Sequence, residues 1–304
     1  MMNEELKKQL RNRRICVVIP TYNNDKTIKT VVEKCLLYCD DVIVVTDGCT
    51  DRTTDILHAI DGITIVSYAQ NRGKGYALKM GFRKALEMGY SYVITLDGDG
   101  QHYPEDIPLF LKANQQHPQS LIIGSRQLEG VDRSKGSSFA NKFSNFWFYV
   151  QTGRALPDTQ TGYRLYPLHR LYGLSLLTSR YEAELELLVF ASWHGVKLVP
   201  IPIQVYYPPR NERVSHFRPG KDFARISVLN TILCFLAVVY GLPLRLCRAL
   251  MTTLRTVYSL LFFLFFTLVV FTPFVWIYTK FGKMTERRRY RLHQLIYHAS
   301  RFVM

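Results

Sequence analysis

The chain runs to 304 residues, 48% of them hydrophobic, with six cysteines and a formal net charge of +15. Such a length holds one large catalytic domain with a full core plus something smaller. The charge suits nucleic acid, an anionic membrane or a phosphate-rich substrate, but there is no zinc-finger spacing and no RNP-like aromatic run, so no nucleic-acid partner is expected.

Basic residues crowd the start (Lys7, Lys8, Arg11, Arg13, Arg14) and the tail (Lys280, Lys283, Arg287, Arg288, Arg289, Arg291), with long uncharged stretches between them, which favours the membrane. Residues 1–14 are charged, lack the apolar stretch of a signal peptide and suit a short amphipathic helix. The cysteines show neither metal-ligand spacing nor a disulfide framework, as expected of buried, reduced thiols in a protein facing the cytosol.

Ile15–Ile19 is a continuous apolar run stopped by Pro20, the pattern of a strand buried on both faces. A turn through Tyr22 and Asn24 leads to a helix from about Asp25 to Cys39. Asp41–Val45 is a second buried strand; it delivers Thr46-Asp47-Gly48-Cys49-Thr50-Asp51, and a helix follows to about Ile60. Ile63–Tyr68 is a third strand, and Asn71-Arg72-Gly73-Lys74-Gly75 is a basic glycine loop opening a helix over Tyr76–Met88. Tyr92–Leu96 is the next strand and runs into Asp97-Gly98-Asp99-Gly100-Gln101-His102. Strands and helices alternating over short loops predict an α/β fold with a mostly parallel, doubly wound sheet.

Residues i and i+2 of an extended chain point to the same side. Asp97 and Asp99 therefore converge just past a strand end, where open α/β sheets place their ligands. Two close carboxylates repel unless a cation lies between them. A hard divalent ion, Mg2+ or Mn2+, with Gln101 as a further oxygen donor answers that need; a polar turn is the plainer reading. Asp47, Arg72, Gly73 and Lys74 also follow strands, and a crevice with carboxylates, a cation and a basic glycine loop suits a nucleoside diphosphate. Asp47 could accept a hydrogen bond from the base or ribose, or simply start a helix; Arg72 and Lys74 could equally be solvated surface charges.

These blocks in this order, Pro20-Thr21-Tyr22-Asn23, Asp47-Gly48-Cys49-Thr50-Asp51, Asn71-Arg72-Gly73-Lys74-Gly75 and Asp97-Gly98-Asp99-Gly100-Gln101-His102-Tyr103-Pro104, resemble the family-2 inverting glycosyltransferases of GT-A fold. The resemblance is to the dolichol-phosphate mannosyltransferase and polyprenyl-phosphate glycosyltransferase branch. It extends through Gly124-Ser125-Arg126, Asp158-Thr159-Gln160-Thr161-Gly162-Tyr163-Arg164 and Tyr181-Glu182-Ala183-Glu184, covering roughly residues 13–225. It implies a metal and diphosphate site at Asp97, Asp99 and Gln101 and a nucleotide-base contact at Asp47. It also implies a nucleotide-sugar surface that includes Pro20, Tyr22, Asn24, Arg72, Gly73, Lys74 and Gly98. The family commonly has Glu where Asn24 stands and an Asp pair where Thr46-Asp47 stands, departures that bear on which base or sugar is accepted.

The second half of the domain is acceptor territory in such folds, with Arg126 and Arg164 as acceptor or diphosphate contacts. Leu121–Ile123 is a strand, and Val131–Ser144 reads as a mobile basic loop. The aromatic run Asn141–Val150 reads as a helix packed on the core, or one leaning on lipid. Glu182, Glu184 and Glu186 fall in a helical segment, with one expected to face the crevice and at least one solvated. Val196–Tyr206, with Pro200 and Pro202, suits an edge strand. Residues 211–225 are basic; Arg213, Ser215, His216 and Arg218 are expected to close over the diphosphate or to lie along anionic headgroups.

Residues 226–244 and 256–279 carry no charge, and each approaches or exceeds the ~20 residues that cross a bilayer. The first is weakened by Asn230, Gly241 and Pro243, and an interfacial helix is an alternative. With the basic tail 280–304 beyond, the positive-inside rule favours a hairpin that leaves the tail and the catalytic domain, 15–210, in the cytosol.

The expectation is sugar transfer from a UDP- or GDP-linked donor to a membrane lipid, most simply polyprenyl phosphate, by an integral membrane protein. A lipid phosphate attacks without a base, whereas a glycolipid-forming enzyme with a hydroxyl acceptor needs one, for which Asp158, with Glu184 behind it, is the candidate. An inactive nucleotide-binding membrane scaffold is the third reading.

Overall fold

The computed structural model describes residues 2–126, 135–173, 176–206, 219–281 and 290–298 except 292 and 296. The chain divides into two units, Met1–Leu242 and Pro243–Met304.

The first unit is built on β1 (Ile15–Thr21), β2 (Val42–Asp47), β3 (Ile63–Tyr68), β4 (Tyr92–Thr95), β5 (Leu121–Arg126), β6 (Arg164–Pro167) and β7 (Leu198–Ile203). They form one sheet in the order β3-β2-β1-β4-β6-β5-β7. β1 lies parallel between β2 and β4, with Ile19 opposite Val44 and Val17 opposite Ile94. β7 is an edge strand, as its two prolines require, since they cannot donate to a further ladder. The helices are α1 (Met2–Asn12), α2 (Ile28–Tyr38), α3 (Thr53–His58), α4 (Lys74–Glu87), α5 (Ile107–Gln116), α6 (Lys135–Thr152), the single turn α7 (Leu168–Leu171), α8 (Glu182–Trp193) and α9 (Pro219–Leu236).

Period-2 alternation splits the apolar strands between two cores. Ile15, Val17, Ile19 and Ile94 pack with Ile28, Val32, Phe110 and Leu111, while Cys16, Val18, Ile43, Val45 and Val93 pack with Ala77 and Ala85 of α4. α4 lies so close to the sheet that a Cβ on Gly81 would stand 2.5 Å from Val18 Cγ1.

Three expectations are corrected. β6, not read as a strand from sequence, is antiparallel to both β4 and β5. Residues 135–144, expected in a mobile loop, are helical in α6, and of the aromatics that follow only Phe148 is fully buried. Glu182, Glu184 and Glu186 are all buried, none solvated. Two of them have partners: Glu186 accepts hydrogen bonds from the backbone N–H groups of Leu177 and Thr178 and the Thr178 hydroxyl, and Glu184 pairs with Lys74.

In the hydrophobic C-terminal region, Leu229, Asn230 and Leu233 of α9 are buried within the first unit. The second unit contains α10 (Leu242–Phe265), a π-helical turn over Phe266–Phe271 and α11 (Thr272–Phe281). Residues 245–255, where the hairpin was expected to turn, lie inside α10. No glycine or proline occurs between Pro243 and Pro273 to end a helix there. Among the described residues there is one helix long and apolar enough to cross a membrane, Ala224–Trp276, rather than two. It contains two π turns, Ala237–Gly241 and Phe266–Phe271, each ending two residues before a proline. A wide turn there accommodates the missing N–H and ring clash of Pro243 and Pro273, and the Thr272 hydroxyl donates to the Thr267 carbonyl at 2.6 Å.

Candidate active site

The ends of β1, β2, β3 and β4 open on one edge of the sheet, and their loops are tied to one another. Asn23 accepts a hydrogen bond from Thr50 N at 2.8 Å, and Asn24 N donates to Thr53 Oγ1 at 2.9 Å, lacing the loop after β1 to the loop after β2. Asn24 Nδ2 also donates to Thr21 Oγ1, next to the buried Pro20. Asp47 is buried, and its two oxygens accept the backbone N–H groups of Arg72 (2.7 Å) and Gly73 (2.8 Å). Asp47 thus holds the basic glycine loop in place. The Arg72 guanidinium lies 4.0 Å from the Tyr76 ring centroid and donates to the Tyr76 hydroxyl. Gly73, at φ +96°, is pressed against Ser179 and Arg180, where a Cβ would stand 2.6 Å from Arg180 Cγ.

At the centre, the Lys74 ammonium lies 2.7 Å from Asp97 Oδ1 and 3.0 Å from Glu184 Oε2. Burial alone would favour the neutral amine, but the two carboxylates outweigh it and hold the Lys74 pKa well above its ordinary value. Burial likewise works against the Asp97 anion, yet the Lys74 charge and hydrogen bond, with Arg164 behind, keep its carboxyl below the usual range. Asp99 has no such ion-pair partner among the described residues. Burial and the Asp97 charge push it up to about 6, against the hydrogen bond its Oδ1 accepts from Gln101 N. His102, buried beneath, accepts the Asp97 N–H at Nδ1 (3.3 Å), and burial pushes its pKa down to about 4, so it is a neutral prop.

β6 explains how the second half of the chain reaches this point. The start of an antiparallel strand lies where its parallel neighbours end, so the segment leading into β6 arrives beside Asp97. Thr95 Oγ1 donates to the Gly162 carbonyl at 2.6 Å. A Cβ on Gly162 would stand 2.6 Å from Lys74 Nζ and 2.8 Å from Asp97 Oδ2, so only glycine leaves room for the pair.

Asp158, the expected base, is buried and clamped by Arg126, which donates from Nε at 2.6 Å and from Nη2 at 2.9 Å; Gln160 N adds a third bond at 3.1 Å. Glu184, its understudy, is committed to Lys74. Arg164, expected at the ligand, is fully buried; its Nη atoms donate to the carbonyls of Glu184 and Thr159 and to Tyr166 OH. It braces α8 from below, as a guanidinium with five donors can. The expected lid residues Arg213, Ser215, His216 and Arg218 lie outside the described residues. Gly162, His102 and the Ser179–Arg180 contact were not singled out from sequence; for Gly162 the signal was its place in the Asp158–Arg164 block.

Beside Asp99 lies a cavity of about 660 Å³, whose walls include Asn24, Lys26, Lys34, Gln101 and Tyr206, a volume suited to a small ligand. Among the described residues no three His, Cys, Asp or Glu side chains cluster to hold a metal, so a third protein donor beside Asp97 and Asp99 would be neutral, as Gln101 is. The set fits a hard divalent ion. Its oxygens suit one, Asp99 forms no ion pair among the described residues, and a cation already stands at Asp97 in the form of the Lys74 ammonium.

Sheet order, crevice and carboxylate pair together define a GT-A glycosyltransferase fold. The chain belongs to glycosyl transferase family 2, whose domain it matches over residues 16–166, and it is a glycosyltransferase. It is 29% identical over 216 residues to a UDP-N-acetylglucosamine–dolichyl-phosphate N-acetylglucosaminyltransferase of Methanococcus voltae, covering 64% of this chain and 86% of the relative. It is 30% identical over 208 residues to a polyprenol monophosphomannose synthase of Mycolicibacterium smegmatis, covering 63% and 77%. Among solved structures, glucosyl-3-phosphoglycerate synthase of Mycobacterium tuberculosis in complex with Mn2+, uridine diphosphate and phosphoglyceric acid matches with TM-score 0.57 at 19% identity, over 79% of this chain and 82% of that one.

Proposed function

We propose that this glycosyltransferase moves a sugar from a UDP- or GDP-linked donor to a polyprenyl phosphate at the cytosolic face of a membrane, with inversion at the anomeric carbon and with a divalent ion. The observation that carries the acceptor assignment is the state of the two expected bases: Asp158 is locked to Arg126 and Glu184 to Lys74. A phosphate acceptor is anionic near neutral pH and needs neither. The names of the dolichyl-phosphate and polyprenol relatives support the same reading, and the helix Ala224–Trp276 supports residence at the membrane that holds such a lipid.

Asp97, Asp99 and Gln101 would hold Mg2+ or Mn2+, which when bound supplies Lewis-acid neutralisation of the departing nucleoside diphosphate. The chain's own part is positional and electrostatic. Asp47 fixes the Arg72–Gly73 backbone so that Lys74 enters the crevice at one defined place. Lys74, kept charged by Asp97 and Glu184, adds positive potential where the diphosphate develops charge. Arg126, oriented by Asp158, offers a positive group at the acceptor side of the crevice. The test uses the purified full chain in detergent with Mn2+ or Mg2+, screened against UDP- and GDP-sugars with and without undecaprenyl phosphate. The expected product releases its sugar in mild acid, as a glycosyl phosphate does. An acid-stable glycoside, or transfer undiminished in an Asp97→Ala, Asp99→Ala double variant, would sink the reading.

A further inference from the structure

The start of α4 is covered by the segment that leads into α8. Tyr76 N, one of the N–H groups that a helix start leaves without an intrahelical acceptor, donates to the Ser179 carbonyl at 2.9 Å. Two glycines let the segment come that close. A Cβ on Gly75 would stand 2.3 Å from Ala183 Cβ and 2.9 Å from Ser179 C, and one on Gly73 would stand 2.8 Å from Ser179 O. With Gly73 N already held by Asp47, the charged group that α4 brings to the crevice is the Lys74 side chain. It pairs across with Glu184 of α8 at 3.0 Å and with Asp97 at 2.7 Å.

Residues 177–180 have no helix or strand of their own, and what anchors them is Glu186. Its side chain is fully buried. Its two oxygens accept three hydrogen bonds from one dipeptide, from Leu177 N at 2.5 Å, Thr178 N at 2.9 Å and Thr178 Oγ1 at 2.5 Å. A buried carboxylate is costly unless it is hydrogen-bonded, and here every bond goes to the segment that presses on α4. Residues two apart on a helix lie about 200° apart around its axis, so Glu184 and Glu186 serve opposite sides of α8. One meets Lys74 and the other meets the segment over Gly73 and Gly75.

We propose that Glu186 is a positioning residue for Lys74: by anchoring Leu177 and Thr178 it holds Ser179 and Arg180 against the first turn of α4 and so sets where the Lys74 ammonium stands. Without the carboxylate, three donors lose their acceptor, the segment is released from Gly73 and Gly75, and Tyr76 N loses the carbonyl that fixes the α4 start. The task given to Lys74 at the departing diphosphate rests on the function proposed above; its placement by Glu186 does not.

The test acetylates the full chain in detergent with N-hydroxysuccinimidyl acetate and reads each lysine by peptide mass spectrometry. Lys74, whose side chain is 16% exposed, has a matched control in Lys7, which is 15% exposed and paired with Asp40; the two lie on opposite faces of the sheet. Glu186→Gln is expected to raise the Lys74 rate about fivefold or more and to leave Lys7 unchanged. Thr178→Val removes one of the three donors and keeps the carboxylate. It is expected to give a smaller rise, about twofold, and it decides the matter if Glu186→Gln does not fold. An unchanged Lys74 rate in a folded variant, or a rise shared by Lys7, overturns the proposal. In transfer assays Glu186→Gln is expected to lower kcat about tenfold in the wild-type background and less than about twofold in Lys74→Ala. An equal factor in both backgrounds means that Glu186 acts through the fold and not through Lys74, which also overturns it. If Lys74→Ala transfers at the wild-type rate, the role given to Lys74 in the reaction fails, while the acetylation result still decides what positions it.

Discussion

The sharpest test of the site is the Asp158–Arg126 clamp. Asp158→Ala removes two charge-assisted hydrogen bonds, at 2.6 and 2.9 Å, and the acceptor for Gln160 N at 3.1 Å, all at a buried carboxylate. Breaking such a pair costs about 3–5 kcal/mol, and in a unit of this size each kcal/mol lowers the thermal midpoint by about 2–4 °C, so a fall of about 10 °C is expected. Asp158→Asn keeps one acceptor but turns an NH2 toward a donor and should lose about half as much. Arg126→Ala leaves a buried carboxylate without its main partner and should cost nearly as much as Asp158→Ala. Because both changes remove the same interaction, the double variant should fall at least ~2 kcal/mol short of their sum. The assay is thermal unfolding of the full chain in detergent for the four members of the cycle, followed by rate against pH for Asp158→Asn. A clamp predicts an unchanged acid limb and a kcat loss matched by Arg126→Ala. Strictly additive stabilities, or a 10²–10⁴-fold kcat loss in Asp158→Asn with Arg126→Ala near wild type, would make Asp158 a general base after all.

Gly162→Ala is expected to keep the fold, since the Cβ meets only the movable ends of Lys74 and Asp97, while lowering transfer at least tenfold; an active Gly162→Ala enzyme refutes the crowding. The pH dependence follows from Asp99, whose carboxyl is raised to about 6 from an ordinary value of 3.8. The folded state then holds the extra proton between those values, so metal-free protein should lose stability, on the order of 2–3 kcal/mol, as pH rises from about 4 to 6. Asp97, held low by Lys74, acts only below that window. Unfolding of wild type against Asp99→Asn, with and without Mn2+, checks this: the fall should vanish in the variant and reverse with the ion. Cys16, Cys35 and Cys39 are buried, and burial raises all three thiols, Cys39 to about 12. They should resist thiol reagents at pH 8 until the protein is unfolded, and rapid labelling of all three in the native protein would contradict the packing.

The parallel strands were legible because burial on both faces leaves an unbroken apolar run, as in Ile15–Ile19, and because Asp97 and Asp99 stand where such a run stops. What escaped was whatever depends on contacts far apart in the chain. β6 is four residues long and half of it is Arg164 and Pro167, so no periodicity could flag it, yet it decides that Gly162 meets Lys74. The partners of Asp47, Asp158 and Glu184 are 25, 32 and 110 residues away respectively, and a carboxylate's availability is set by those partners. The aromatic run 141–150 left core and lipid both open in the sequence; the polar residues Asn141, Ser144 and Gln151 carry the further signal, since they are the ones buried, beside Phe148. The hairpin rested on a rule about charge, which ranks topologies without describing the helix between the two apolar stretches.

The wide turn at Phe266–Phe271 resets the angular bookkeeping of everything beyond it. A π turn is in effect a one-residue insertion into an α-helix, and one residue is about 100° of rotation. A helical wheel drawn through α10 and α11 at constant pitch therefore assigns Phe274 and Trp276 to the wrong side. Deleting one residue between 266 and 271 would remove the insertion and let the turn close to ordinary α pitch, leaving Phe274 and Trp276 on the side they already occupy. The same deletion in a regular stretch of α10 would swing them by about 100°.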